Sequence, residues 1–163
     1  MRCLHVVYII FFSTILSIYN YISKFLIWTM DKLDRHRIIK DKLTDEPYLE
    51  RYYLFLRDRD IFPFNIFLHK FLKSDPDDLH DHPWDFITII LRGGYWEHTP
   101  KIKHWRGPFS IIYRKSTDLH RIELNPNTDV WTLFIPLKKT RQWGFKTEKG
   151  WIDHETYNSK KEI

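Results

Sequence analysis

The sequence predicts an all-β sandwich or barrel preceded by one hydrophobic helix. Short runs rich in Ile, Phe, Tyr and Trp recur at close spacing, at least seven of them, and Gly, Pro, Asn and Asp punctuate them. Ahead of these runs, residues 4–27 are almost wholly apolar and read as a helix.

The 163 residues suit one domain with a core that needs no disulfide staples. Aromatic residues at 17% and only five glycines exclude a disordered chain. The net charge is +5, of which Arg2 and Lys24 supply +2 within residues 1–29, leaving +3 for the remainder. That excess suits acidic ligands or a membrane surface, but it is not concentrated into the basic stripe of a nucleic-acid binder. Cys3 is the only cysteine, so the chain holds no internal disulfide, and no Asn-x-Ser/Thr acceptor is present.

A helix of about 20 residues crosses a bilayer, so residues 4–27 are expected to form an uncleaved membrane anchor. Tyr19, Tyr21 and Trp28 suit its interfacial belt. Lys24, Lys32, Arg35, Arg37 and Lys40 follow the segment while Arg2 stands alone before it, which places the globular part in the cytosol by the positive-inside rule. The rival readings are a signal peptide and a cytoplasmic protein whose translation starts at Met30. The expected organisation is a hydrophobic segment 1–29, a charged linker or short helix 30–50, a β-barrel 51–155 and a frayed tail 156–163.

Strands are expected over 52–56 and 64–72, and His69 in the second reads as a ligand or as a half-buried strand histidine. The turn Asp75-Pro76-Asp77-Asp78 delivers the chain to His80-Asp81-His82. Side chains two apart on an extended backbone leave the same face, so both imidazoles can address one ion. The apolar run 86–91 then reaches Gly93-Gly94, read as a tight hairpin that brings 95–98 back alongside. A loop 99–108 and strands 110–114, 120–124 and 130–137 follow. From Lys138 onward Trp143, Phe145 and Trp151 are expected to pack on the barrel. His120, which begins a strand after a turn, is the best third ligand. Neutral imidazoles suit iron, zinc, copper and nickel.

Here the chain resembles the cupin superfamily. Its His80-x-His82 pair, the apolar strand ending at Gly93, and Gly107-Pro-Phe-Ser-Ile-Ile-Tyr-Arg-Lys-Ser-Thr-Asp-Leu-His120-Arg-Ile-Glu resemble the two cupin motifs. The resemblance covers about residues 64–137. It implies a double-stranded β-helix, or jelly-roll barrel, with His80, His82 and His120 around an ion at its mouth. The family's glutamate would fall at Phe86 or Ile87, and Lys115-Ser-Thr-Asp118 replaces Pro-x-Gly. The implied site is therefore a three-histidine variant similar to that of thiol dioxygenases. Asp85 and Glu97 are candidate fourth ligands, Asp85 only if a bulge resets the strand alternation. Because the second residue of the pair is His82 rather than Asp or Glu, the 2-oxoglutarate type of jelly-roll oxygenase fits less well.

The resulting expectation is a metal-binding protein, with Fe(II) ahead of Zn, Ni or Mn, that oxidises a small anionic molecule. The alternative is a barrel that binds a small ligand without turnover. Arg114 and Arg121 are candidate anion binders. Tyr113, Trp84 and Trp96 are candidate pocket aromatics, with a core role the competing reading. Glu97-His98 offers a carboxylate or base. His104 and His154 read as surface residues, and no catalytic residue is assigned.

Overall fold

A computed structural model describes residues 2–41, 44–57 and 62–159, without the side chains of 2–12, 15, 16, 19 and 20. The chain divides into two units, Met1–Arg35 and His36–Ile163. The first is a helix, α1 (Arg2–Lys32). Among the described residues no helix is long and apolar enough to cross a membrane, which overturns the expected single-pass anchor over 4–27 and the topology built on it. Toward its C-terminus α1 carries Ser23, Lys24, Thr29, Asp31 and Lys32, polar and charged groups at odds with the roughly 20 apolar residues of a span.

The second unit is built from strands β1 (His36–Lys40), β2 (Pro47–Tyr53), β3 (Phe67–Phe71), β4 (Leu79–His80), β5 (Trp84–Arg92) and β6 (Tyr95–His98). It continues with β7 (Lys103–Arg106), β8 (Ile111–Arg114), β9 (Arg121–Leu124), β10 (Val130–Lys139), β11 (Gly144–Thr147) and β12 (Gly150–Asp153), then helix α2 (His154–Ser159). The charged stretch expected as a linker or short helix holds β1, paired antiparallel with β2. The register runs from His36 opposite Tyr52 to Lys40 opposite Pro47, so these residues gain ladder hydrogen bonds from β2. The expected frayed tail is helical up to Ser159, anchored by buried Tyr157. Residues 58–61, between the expected strands 52–56 and 64–72, and 160–163 lie outside the described residues.

One sheet has the order β1-β2-β3-β10-β5-β8, and two three-stranded sheets have the orders β12-β11-β4 and β7-β6-β9. An isolated antiparallel bridge between His80 and His120 joins the two smaller sheets, each residue's N–H donating to the other's carbonyl at 2.9 Å. The smaller sheets thus form a second layer. Ile90, Ile112 and Val130 of the large sheet bury against Tyr95 and Ile122 of this layer, the face-to-face packing of a jelly roll.

Gly93 does not make the expected hairpin. β5 pairs with β10 and β8, whereas β6 pairs with β7 and β9. The turn therefore carries the chain from one layer to the other. Gly93 has φ 73°, and a Cβ there would lie 2.3 Å from the Asp129 carbonyl oxygen, so both the backbone angle and the close approach call for glycine. One partner of β6 is β7, inside the segment expected to be loop.

Candidate metal centre

His80 and His82 flank Asp81, whose side chain leaves the opposite face as strand alternation requires. Asp81 is buried and accepts from Gly144 N at 2.7 Å, Trp151 Nε1 at 2.9 Å and Arg141 at 2.5 Å. The backbone is held as firmly: Asp81 N–H donates to Gly144 O and His82 N–H to Ser116 O. These contacts fix the direction of both imidazoles. The bridge to His120 then brings the third ring from the other small sheet.

Each histidine offers one ligand atom, and the three atoms lie within 4.8 Å of one another. The Nε2 atoms of His82 and His120 are 2.9 Å apart. Nitrogens bound to one transition ion at about 2.1 Å lie roughly 3 to 4 Å apart, close to this spacing. His80 Nδ1 is buried with no hydrogen-bond partner, and Asp75 Oδ2 stands 4.0 Å from it. Burial lowers the His80 pKa to about 4, against the opposing charge of Asp75, and holds that of His82 well below the ordinary value. Both rings are therefore neutral at pH 7, with lone pairs to donate. The donor set fits a divalent transition metal.

Glu97 is 1% exposed. His120 Nδ1–H donates to its Oε1 at 3.1 Å, Arg106 Nε to Oε2 at 2.8 Å, and Arg114 to both oxygens at 2.9 and 2.7 Å. Burial alone would raise this carboxyl's pKa, but the donors from His120 and Arg114 outweigh it and hold the group well below the usual carboxylate range. Glu97 thus fixes the His120 tautomer and leaves Nε2 to face the cluster. It is oriented as a support for His120 rather than as the fourth ligand.

Asp85 is not a fourth ligand either. It accepts from Ser116 N at 2.7 Å and Tyr113 Oη at 2.8 Å, outside the cavity, because β5 keeps its alternation and sends Phe86 inward instead. The Phe86 ring lies 4.5 Å from that of His82. A phenyl group therefore stands beside the histidines where the cupin motif has its glutamate.

The cluster opens into a cavity of about 360 Å³ whose walls include Phe71, Phe86, Phe134, Trp84, Thr132 and Arg51. Trp84 lines it, but Trp96, Tyr113, Arg114 and Arg121 do not. Trp96 packs on Trp105 at 5.5 Å on the outer face, and Tyr113 is 52% exposed. Arg114 is committed to Glu97, and Arg121 to Asp77 and Glu123 at 3.5 and 3.8 Å. His98 pairs with Glu123 at 2.6 Å, His104 is exposed on β7, and His154 stacks on Trp143. His69 is buried in the cavity wall.

The sequence reading passed over Arg51, Asp75, Arg106 and Thr132. Asp75 looked like a turn former, yet it accepts from Tyr48 Oη and Ile122 N beside His80. Thr132 shares the buried face of β10 with Val130 and Phe134, a pattern that signals burial but not function.

No family model matches the chain, and no curated protein sequence matches it. Solved structures are similar in fold. A cupin-2 domain protein from Rhodospirillum rubrum is 12% identical over 71% of this chain and 76% of that one, with a TM-score of 0.57. The polyketide cyclase RemF from Streptomyces resistomycificus is 13% identical over 69% and 78%, with a TM-score of 0.54. The Fe(II) form of HppE with the alternative substrate (S)-1-HPP is 12% identical over 64% of this chain and 57% of that one, with a TM-score of 0.51. Two facing antiparallel sheets, the His80-His82-His120 cluster between their strands and these likenesses together show that the chain has the cupin fold.

Proposed function

We propose that this chain is a metal-dependent cupin-fold enzyme that binds Fe(II) through His80, His82 and His120 and oxidises a small anionic molecule. The observation that carries the reading is the convergence of three imidazoles, two of them kept neutral by burial, at the wall of an apolar cavity of about 360 Å³. That volume is in the range of small-molecule sites. The fold likeness to an Fe(II) protein, HppE, supports the choice of metal.

A bound ferrous ion supplies redox chemistry with dioxygen. The chain's own residues do the rest. Glu97, backed by Arg106 and Arg114, orients His120. Phe86 and Phe134, 5.0 Å apart, screen the cluster from water and leave the ligand an apolar seat. With three imidazoles and no carboxylate among the ligands, an ion here keeps its full charge, which favours anions at its open positions.

The test is metal content after anaerobic loading of the full chain and of His82→Ala. About one equivalent of iron in the wild type, lost in the variant, is expected, followed by oxygen consumption with small organic acids. Absence of stoichiometric iron in the wild type overturns the reading. Iron binding without oxygen consumption would leave a ligand-binding barrel.

A further inference from the structure

On the same large sheet that carries Phe86, a row of polar residues crosses three neighbouring strands of the cavity wall. Arg51 on β2 pairs in register with His69 on β3, and His69 pairs in register with Thr132 on β10. All three line the cavity that holds the histidine cluster. Arg51 Nε donates to His69 Nε2 at 3.0 Å, and the guanidinium lies 4.8 Å from the centre of the Phe67 ring. Beside that cation and through its own burial, His69 is a neutral acceptor. Thr132 is fully buried, and its hydroxyl has no hydrogen-bond partner among the described residues.

Of the other charged groups lining the cavity, Lys40, Asp41 and Glu97 have oppositely charged partners, whereas Asp75 has neutral donors. Glu97 is held by Arg106, Arg114 and His120. Asp41 pairs with Lys73 at 3.3 Å, and Lys40 pairs with Asp45 at 2.6 Å. Asp75 accepts from Tyr48 and Ile122 N. Arg51 has no carboxylate partner among the described residues; besides His69 it interacts with the hydroxyls of Tyr53 and Tyr48. A largely buried guanidinium without a counter-ion is costly, and a hydroxyl buried without a partner adds to that cost. An oxyanion accepting from both removes both penalties at once.

We propose that Arg51, oriented by His69 and assisted by the Thr132 hydroxyl, binds the carboxylate of a small monocarboxylic acid whose apolar body lies along Phe71, Phe86 and Phe134. One guanidinium balances one negative charge, so a monoanion fits better than a phosphate dianion. His69 stacks on Phe134 at 5.0 Å, and Phe134 lies 6.4 Å from His82, so two ring contacts separate the anion site from the candidate metal ligands. A ligand held at Arg51 therefore reaches toward the cluster. This assignment rests on the cavity being the ligand site, and it names the class of ligand.

The test is calorimetric titration of the metal-free full chain with benzoate and with its neutral isostere benzamide. Working without metal isolates Arg51 from any charge at the histidines. The wild type is expected to bind benzoate about tenfold or more tightly than benzamide. Arg51→Gln should bring that ratio close to one, and Thr132→Val should lower it by a few fold. Arg51→Lys, which keeps the charge but loses the planar fork, should fall between. Thermal melting checks that each variant folds, and cobalt stoichiometry should be unchanged in Arg51→Gln. Equal binding of benzoate and benzamide by the wild type overturns the proposal, as does a preference that survives in folded Arg51→Gln. Should Arg51→Gln not fold, an Arg51→Lys protein with the wild-type ratio has the same force. If the chain fails to hold metal but the preference depends on Arg51, the metal reading falls and the anion site stands.

Discussion

Replacing Glu97 with Gln keeps the size of the side chain and removes the charge that three cationic or donor groups share. Glu97 is 1% exposed, and Arg106 and Arg114, at 2.8 and 2.7 Å, are 26% and 19% exposed, so solvent screens these pairs little. Breaking a buried ionic network by removing one partner costs about 3–5 kcal/mol, because the remaining charges stay desolvated. Taking the lower figure, since the guanidinium groups keep some contact with water, the melting temperature should fall by roughly 10 °C. The glutamine amide also no longer secures the His120 Nδ1–H, so metal affinity should drop about 10–100-fold.

The pH dependence gives a further check. The donors from His120 and Arg114 overcome the effect of burial and hold the folded-state pKa of Glu97 below its ordinary 4.5. The contribution of the charge to stability is then complete above the unfolded value and is lost as pH falls through the folded one. The stability gap between wild type and Glu97→Gln should therefore be full at pH 7 and shrink below about pH 4.5. Urea unfolding across pH 3–8 and cobalt titration at pH 7 measure both effects. A variant within about 0.5 kcal/mol of wild type at pH 7, with unchanged metal affinity, would refute the role assigned to Glu97.

Three other outcomes are expected. Because burial keeps His80 neutral down to about pH 4, cobalt affinity should change little between pH 8 and 6 and decline as pH approaches 4; a tenfold loss between pH 7 and 6 would contradict this. Phe86→Ala should cost about 3–5 kcal/mol in urea unfolding, since Phe86 is 2% exposed and packs on Phe67 and Phe134. Asp85→Ala should leave cobalt affinity unchanged, because this carboxylate binds Ser116 and Tyr113 rather than the cluster; a clear loss would restore Asp85 to the ligand set.

What could be read from the residue order is whatever depends on local period and residue type. The two-residue spacing of His80 and His82 sets their common direction, and alternation along 130–137 marks the inner face of β10. The apolar run after His82, the absence of a glutamate at Phe86 and the distant His120 were also legible without coordinates. Pairing partners were not, since a short strand's hydrogen bonds carry no mark of which strand they will meet. The Gly93 turn therefore looked like a hairpin, although it passes between layers, and the charged residues after α1 concealed an edge strand. Apolarity read along residues 4–27 suggested a membrane span, which no helix among the described residues provides.

The chain alone determined the candidate metal ligands, because residue chemistry and spacing suffice to name them. Only tertiary structure decided their surroundings: that Glu97 supports His120 instead of binding beside it, that Asp85 points away, and that Arg114 and Arg121 are engaged elsewhere. It also placed Arg51, His69 and Thr132, which are far apart in sequence, side by side on neighbouring strands of one cavity. The physical reason is that a side chain's chemistry belongs to the residue, whereas its burial and its partners are properties of strands that meet only when the sheets close.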